Sequence, residues 1–164
     1  MFDKIWNVVL EDFIKKIETH KGLKYFVVNK SKFEGWMKVE LCESLTKISD
    51  NITPEKDRID IVIDDFPIEL KTPNTNYKTE NVLGKTKPIT NNIDSILKDI
   101  EVLKKNENYK EKSVMYIVFP LPIESENDWK LHSNKIENEL NKVVSKDFNF
   151  LNGVRGKIYF GLIK

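Results

Sequence analysis

The chain has 164 residues, 40% of them hydrophobic and 10% aromatic, and its formal net charge is +1. This length and composition predict one globular domain over residues 1–164, and the balanced charge excludes a polybasic protein that binds nucleic acid through its overall field. The single cysteine, Cys42, excludes an internal disulfide, and there is neither a secretory signal pattern nor an apolar run of membrane-spanning length, so we expect a soluble cytoplasmic protein.

Two amphipathic helices and a short strand are predicted at the start of the chain. Apolar residues at spacings of three and four predict a helix over 3–20, which ends before Gly22. The aromatic and β-branched run LKYFVV, residues 23–28, predicts a strand. A second helix is predicted over 32–48, and Glu40 lies at the edge of its apolar stripe.

A hairpin with charged strands follows. The runs IDIVI (59–63) and PIELKT (67–72) predict two strands joined by a tight turn at DDF. The polar segment 49–57 before them has room for a stub of strand at most. From 73 to 92 the sequence is polar and has no periodicity, which predicts a long mobile loop whose length favours a functional role.

The second half of the chain is predicted to continue as helix, strand, helix and hairpin. An amphipathic helix over 91–105 precedes a nearly all-apolar run, 114–122, that is typical of a strand covered on both faces. The next helix has inward residues over 129–144, and the Asn-Gly pair at 152–153 predicts a hairpin turn before a last strand over 156–163. This order predicts an α/β fold in which helices flank one central mixed sheet.

The predicted hairpin brings charged residues together. Because residues two apart share a strand face, Glu69 and Lys71 point the same way, and a tight hairpin brings Asp60 to them. Two converging carboxylates repel each other unless they flank a cation, and Mg²⁺ prefers oxygen ligands with open water positions. A lysine beside such an ion would place a water for attack on a phosphate. The alternative interpretation is a solvated hairpin face on which Lys71 pairs with an acid.

A third carboxylate, that of Glu40, points partly toward the core from the second predicted helix. A buried carboxylate without a partner is costly, so Glu40 is expected to find a cation, a metal ion or several hydrogen-bond donors. Glu34 flanks the same apolar stripe on its other side and is the weaker candidate. His20 and His132 lack the spacing of metal ligands, so no zinc site is predicted.

The order of these elements resembles the αβββαβ core of the PD-(D/E)XK nuclease superfamily, the restriction-endonuclease-like fold. The resemblance lies in a helix with Glu40, a strand with Asp60, a strand with Glu69-x-Lys71, and then a helix and the apolar strand VMYIVF. It covers about residues 31–120. The N-terminal helix, the C-terminal helix and the final hairpin are additions to that core.

The resemblance implies a metal-dependent nuclease site. Asp60, Glu69 and Glu40 would bind Mg²⁺, with Mn²⁺ as a substitute, and the backbone carbonyl of Leu70 would be a further ligand. Lys71 would assist the attacking water. The activity implied is hydrolysis of phosphodiester bonds by an endonuclease of restriction, defence or repair type, with DNA favoured over RNA.

Other lysines are candidates for contacts with the nucleic acid. Lys78, Lys85 and Lys87 lie in the polar loop and are placed to meet phosphates, and a solvated loop is the alternative interpretation. Lys98 on the following helix is a weaker candidate because it points away from the apolar stripe. The alternative function is a catalytically idle module of the same fold that binds nucleic acid or a partner protein. For either function, a homodimer is one option for the assembly of the chain.

Overall fold

The computed structural model describes residues 1–84 and 88–164, and within these ranges six strands form one mixed sheet. The strands are β1 (Ile52–Pro54), β2 (Ile61–Ile63), β3 (Phe66–Lys71), β4 (Ser113–Val118), β5 (Leu140–Asn149) and β6 (Arg155–Ile163). Their order across the sheet is β1-β2-β3-β4-β6-β5. Neighbouring strands are antiparallel except for β3 and β4, which are parallel.

Helices cover both faces of this sheet. The helices are α1 (Phe2–Val8), which continues through a π-helical turn (Val9–Phe13) into α2 (Ile14–Thr19), then α3 (Leu23–Val28), α4 (Glu34–Leu45), α5 (Ile89–Lys104) and α6 (Glu126–Glu137). Apolar side chains of α1 to α4 pack on one face, and those of α5 and α6 pack on the other. The predicted α/β architecture with a central mixed sheet is therefore confirmed. Within the described ranges, no helix combines the length and apolarity needed to cross a lipid bilayer.

The strand alternation of the charged hairpin assigns its residues to the two faces. Ile61, Ile68 and Leu70 belong to the core under α1 to α4, whereas Val62 belongs to the core under α5 and α6. Side chains on β3 alternate between the two faces of the sheet, so Glu69 and Lys71 point toward α5. The charged face of the hairpin is thus covered by a helix rather than by solvent.

The run LKYFVV forms α3 and not the predicted strand. Leu23 and Val27, four residues apart, are buried, whereas Tyr25 and Phe26 are 63% and 45% exposed, which is helical and not alternating periodicity. Nδ1 of His20 accepts two backbone N–H groups at the start of this helix, each at 3.2 Å. The prediction was wrong because β propensity reflects the surroundings of a residue in a sheet, and this segment joins the core under α1 to α4 without pairing with a strand.

The predicted helix over 129–144 is wrong in its last part. α6 ends at Glu137, and residues 140–144 lie in β5, which pairs with β6 along the whole hairpin. Val143 and Val144 are β-branched and stiff, so they fit the strand at least as well as a helix. The apolar residues keep a helical spacing beyond the end of α6. Only the pairing with β6 decides between helix and strand for residues 140–144.

Both predicted hairpin turns are confirmed. Asp64, with a positive φ of 53°, connects β2 to β3, and Gly153, with a φ of 81°, connects β5 to β6. The stub of strand predicted in 49–57 is the three-residue β1.

The start of the predicted mobile loop is instead packed. Asn74 and Thr75 are buried, and the N–H of Thr75 donates to the carbonyl of Phe119 at 2.8 Å. Nδ2 of Asn92 donates to the carbonyl of Asn74 at 2.8 Å. The loop is also shorter than predicted, because α5 begins at Ile89.

Thr72, the residue after β3, ties the end of this strand to the start of α4. Its buried Oγ1 accepts the backbone N–H of Phe33 at 3.2 Å, and its own N–H donates to Oε1 of Glu34 at 3.0 Å. One of the N–H groups that the start of a helix leaves without an internal partner is satisfied in this region by a side chain of the sheet. This contact sets how α4 approaches β3.

Thr72→Val should lower the free energy of unfolding by about 1–3 kcal/mol, because it leaves the buried N–H of Phe33 without an acceptor while keeping the side-chain volume. Urea denaturation measures the change. Thr53→Val makes the same replacement at an exposed position of β1 and should change stability by less than about 0.5 kcal/mol. Equal losses in the two variants would contradict a specific role for Thr72.

Candidate functional site

The candidate site lies where β2 and β3 separate. Pairing between the strands ends at Ile61 and Ile68, whereas β3 continues to Lys71. Beyond that point the N–H of Leu70 donates to Oδ2 of Asp60 at 2.8 Å. The Asp60 carboxylate therefore replaces the missing strand as hydrogen-bond acceptor, and this fixes it at the edge of β3.

Glu69 and Lys71 lie beside this carboxylate on the α5 face. Nζ of Lys71 is 3.2 Å from Oε1 of Glu69 and 2.9 Å from Oδ2 of Asp99, which comes from α5. The side chains of Glu69 and Lys71 are only 14% and 16% exposed. Three of the predicted site residues, Asp60, Glu69 and Lys71, are thus in one half-buried cluster, and Asp99 joins them.

The cluster shifts the protonation of its members. Burial raises the pKa of Glu69 to about 7, the negative charge of Asp60 adds to this, and the charge of Lys71 only partly opposes it. For Lys71 itself, burial favours the neutral amine, but the hydrogen bond to Asp99 and the charges of Glu69 and Asp99 outweigh burial and raise its pKa. Lys71 is therefore held in its charged form beside a carboxylate that titrates near neutral pH.

Lys38, on α4, supplies a second positive charge from the opposite side. Its Nζ is 2.7 Å from Oδ1 of Asp60 and also pairs with Glu55. Burial opposes the charge of Lys38, but hydrogen bonds to these two carboxylates raise its pKa. Each oxygen of the Asp60 carboxylate thus has a donor, one from Lys38 and one from the backbone of Leu70.

The structure does not bring Glu40 together with this cluster. Oε2 of Glu40 is 3.3 Å from Nζ of Lys16 on α2, so its partner is a lysine of the neighbouring helix. α4 packs on the sheet face opposite to Glu69 and Lys71. Glu34, the weaker candidate, lies nearer to the cluster because it accepts the N–H of the residue that follows Lys71.

The predicted phosphate-contacting lysines lie away from the cluster or outside the described residues. Lys78 is exposed and lines a surface depression together with Glu80 and Glu124. Lys85 and Lys87 fall outside the part of the chain that the structure describes. Lys98 is exposed on α5.

A small cavity gives access to the cluster. Its volume is about 120 Å³, and Glu69 and Asp99 line it together with Arg58 and Asn106. Since one water occupies roughly 30 Å³ in the liquid, the cavity has room for a few water molecules. Solvent and small ions can therefore reach the Glu69 carboxylate.

The oxygen donors of the cluster match only some kinds of metal ion. Among the described residues, no three His, Cys, Asp or Glu side chains form a group that would hold a metal ion by themselves. Mg²⁺ is usually bound by one or two carboxylates, with waters and substrate phosphates completing its octahedron. Asp60 and Glu69 fit such a site of two carboxylates. Burial and repulsion by Asp60 disfavour the negative charge of Glu69, and a bound cation would stabilise that charge.

Sequence patterns gave only weak signals for Lys38 and Asp99. Asp99 lies between the buried Ile96 and Ile100, so it is a charged residue at the edge of an apolar helix stripe. Lys38 is one helical turn beyond Glu34 and shares its side of α4. In the sequence, Lys38 and Asp99 look like ordinary surface residues. Their role becomes visible only when the packing of the helices against the sheet is known.

Glu69→Gln should change the pH dependence of stability. The pKa of Glu69 is about 7 in the folded chain and near 4.5 otherwise, so between these values the folded form binds the extra proton. This stabilisation is complete below the lower value and is lost as pH rises through the higher one. We expect the free energy of unfolding of the wild type, measured by urea titration in EDTA, to fall relative to that of Glu69→Gln between about pH 5 and about pH 8.

Glu101→Gln removes an exposed carboxylate on the same helix as Asp99 and is the control. Its unfolding free energy should follow that of the wild type across the pH range. Parallel curves for the wild type and Glu69→Gln would show that Glu69 does not titrate near neutral pH.

No protein-family model, curated protein or solved structure matches the chain.

Proposed function

We propose that the chain is a Mg²⁺-dependent nuclease that hydrolyses phosphodiester bonds in DNA, with Mn²⁺ able to replace Mg²⁺. The observation that carries the proposal is the half-buried cluster of Asp60, Glu69 and Lys71, in which Glu69 has a pKa of about 7. A carboxylate whose pKa is shifted by burial and by a specific charged neighbour, and which lines a cavity, is typical of catalytic sites. A solvated hairpin face would keep these side chains in water and needs no such cluster.

The proposed ligands of the ion are the carboxylates of Asp60 and Glu69 and the backbone carbonyl of Leu70. The N–H and C=O groups of one strand residue point to the same edge, so the Leu70 carbonyl points toward the side on which its N–H meets Asp60. A bound Mg²⁺ would polarise a phosphoryl oxygen and lower the pKa of a bound water. Glu40 is left out of this ligand set because its carboxylate pairs with Lys16.

Lys71 is proposed to position the attacking water and to stabilise charge that develops on the phosphate. Its ammonium group stays protonated, so it donates hydrogen bonds and does not accept a proton from the water. Asp99 is a positioning residue, because its contact at 2.9 Å holds Lys71 in place from α5. Glu69 is the group whose protonation changes near neutral pH.

The order of elements around the site supports a restriction-endonuclease-like core. α4 is followed by β1, β2 and β3, then by α5 and by β4, which pairs in parallel with β3. This is the αβββαβ order of that fold. Of the proposed catalytic acids, Glu69 lies on the third strand and Asp60 directly precedes the second strand, close to the places that the resemblance implies.

A catalytically idle module that binds nucleic acid or a partner protein is the second candidate. Lys38 and Lys71 already supply positive charge to Asp60 and Glu69, so these carboxylates are stabilised without a metal ion. This observation favours the idle module. The lack of a group of three potential ligands in the described part of the chain points the same way. The two candidates differ in whether a metal ion binds and in whether Lys71 matters for cleavage.

Mg²⁺ or Mn²⁺ should raise the melting temperature of the wild type, because a cation relieves the repulsion between Asp60 and Glu69 and binds only the folded chain. The double variant Asp60→Asn with Glu69→Gln should lose this response. Thermal unfolding with EDTA, Mg²⁺ or Mn²⁺ measures it.

Glu40→Gln is the matched control for this experiment, since it removes one carboxylate that pairs with Lys16. It should keep the metal response of the wild type. Loss of the response in Glu40→Gln would restore the third-ligand role predicted from the sequence, and equal shifts in the wild type and the double variant would contradict metal binding at this site.

Lys71→Ala should greatly slow cleavage without weakening metal binding. The replacement removes a positive charge beside Glu69, so metal affinity should stay the same or rise. Loss of a group that stabilises transition-state charge typically lowers kcat by about 10²–10³. Cleavage of plasmid DNA with Mg²⁺ measures the rate, and structured RNA is tested in parallel.

Lys38→Ala is the matched control, because it also removes a lysine that pairs with a site carboxylate but has no proposed role in chemistry. It should keep cleavage within about tenfold of the wild type. If Lys71→Ala cleaves as fast as the wild type while remaining folded, the proposed site is wrong. If the wild type cleaves neither DNA nor RNA, the idle module is favoured.

A further inference from the structure

The segment around α3 is basic and aromatic. Residues 19–33 contain four lysines and no acidic residue, in a chain whose net charge is only +1. Tyr25 and Phe26, consecutive on α3, are among its most exposed large apolar side chains. We name as the α3 surface the five residues Lys21, Lys24, Tyr25, Phe26 and Lys30.

Among the described residues, no acidic side chain forms an ion pair with the lysines of the α3 surface. Within residues 1–84 and 88–164, no carboxylate oxygen lies within 4.0 Å of Nζ of Lys21, Lys24 or Lys30. The fourth lysine of the segment, Lys32, is 3.7 Å from Glu34 and is therefore left out. The α3 surface thus supplies the local basic patch that nucleic-acid binding requires in a chain of balanced charge.

One of these charges lies over one of the exposed rings. Nζ of Lys24 is 4.9 Å from the centroid of the Tyr25 ring, so an ammonium group and an aromatic face form one unit. Proteins that bind single-stranded nucleic acid combine positive charge along the backbone with aromatic rings on which bases stack. In a duplex the base faces are already stacked on each other, so exposed rings favour unpaired bases.

The chain that follows β3 connects the cluster to one end of the α3 surface. Asn74 is three residues beyond Lys71, and its Nδ2 donates to the carbonyl of Lys30 at 2.7 Å. Three residues of extended chain span about 10 Å. The Lys30 end of the α3 surface is therefore a short distance from Lys71.

Close backbone packing holds α3 in this position. The N–H groups of Leu83 and Gly84 both donate to the carbonyl of Val28, at 2.8 and 3.1 Å. A Cβ at Gly84 would lie 2.2 Å from the carbonyl oxygen of Asn29, so only glycine permits this approach. The polar loop is thus docked against the end of α3, and Tyr25 and Phe26 remain exposed.

We propose that the α3 surface binds an unpaired stretch of nucleic acid, with Lys21, Lys24 and Lys30 contacting phosphates and Tyr25 and Phe26 stacking on bases. This surface would direct a single strand, or the unpaired part of a structured substrate, to the candidate site. The delivery of the strand to the candidate site is the one part of this inference that rests on the proposed nuclease function. Binding by the α3 surface does not depend on metal or on cleavage.

Fluorescence anisotropy in EDTA tests binding separately from cleavage. The probes are labelled oligo(dT) and oligo(rU) of about 20 nucleotides and a blunt DNA duplex of the same length. The wild type should bind both single strands more tightly than the duplex. Tyr25→Ala with Phe26→Ala should weaken single-strand binding at least about tenfold, because stacking of each base contributes substantially to affinity.

The lysines are tested through the salt dependence. Replacing Lys21, Lys24 and Lys30 by Gln should make the slope of log K against log salt shallower by about two, since each phosphate contact to a single strand contributes about 0.7. Lys130, Lys135 and Lys146 are exposed, and the same triple replacement there matches the change in net charge. Ile123→Ala with Leu131→Ala matches the loss of exposed apolar area. Both control variants should bind as the wild type does.

Three results would overturn the inference: no binding of single strands by the wild type, tighter binding of the duplex, or wild-type affinity in the α3 variants. The last is also the result expected if the α3 surface contacts a protein partner instead. Cleavage with Mg²⁺ is measured on the same proteins. If binding depends on the α3 surface and no cleavage occurs, the proposed function fails while this inference stands.

Discussion

The backbone N–H of Leu70 is the constraint on which the candidate site depends. A buried N–H group at the edge of a strand needs an acceptor, and β2 has already turned away from β3 at this point. The carboxylate of Asp60 accepts this hydrogen bond and is therefore drawn into the edge of the sheet. Glu69 precedes Leu70 on the same strand, so the carboxylates of Asp60 and Glu69 come close together in a half-buried environment. The raised pKa of Glu69 follows from that burial and from the charge of Asp60.

The positive charges that balance this pair come from different layers of the fold. Lys38 reaches Asp60 from α4 on one face of the sheet, whereas Lys71 contacts Glu69 and is held by Asp99 from α5 on the other face. The two lysines are therefore equivalent in charge but not in position. Lys71 contacts Glu69 and Asp99, which line the cavity, whereas the partners of Lys38, Asp60 and Glu55, do not line it. For this reason the proposed function gives the role in chemistry to Lys71 and a structural role to Lys38.

The hairpin and its charged residues were predictable, and the side chains that reach it from helices were not. Strand alternation and a tight turn fix which residues of a hairpin share a face, so Asp60, Glu69 and Lys71 follow from local sequence. A helix stripe fixes only which side of the helix faces the core. It does not fix the rotation that decides whether Lys38 or Glu40 meets the sheet. The secondary structure of the two wrongly predicted segments, α3 and the first part of β5, likewise depends on contacts with residues distant in sequence.

The cluster keeps an unmet demand for positive charge. In its ion pairs four carboxylates, those of Asp60, Glu69, Asp99 and Glu55, share two ammonium groups, those of Lys38 and Lys71, so negative charge is in excess among them. A proton on Glu69 removes one of these charges, and burial together with the charge of Asp60 raises the pKa of Glu69 to about 7. A divalent cation at the same carboxylates would meet the demand for positive charge as well, and it would displace the proton. Proton and cation would therefore compete for Glu69, so the raised pKa of this carboxylate and the proposed metal site would both follow from the same arrangement.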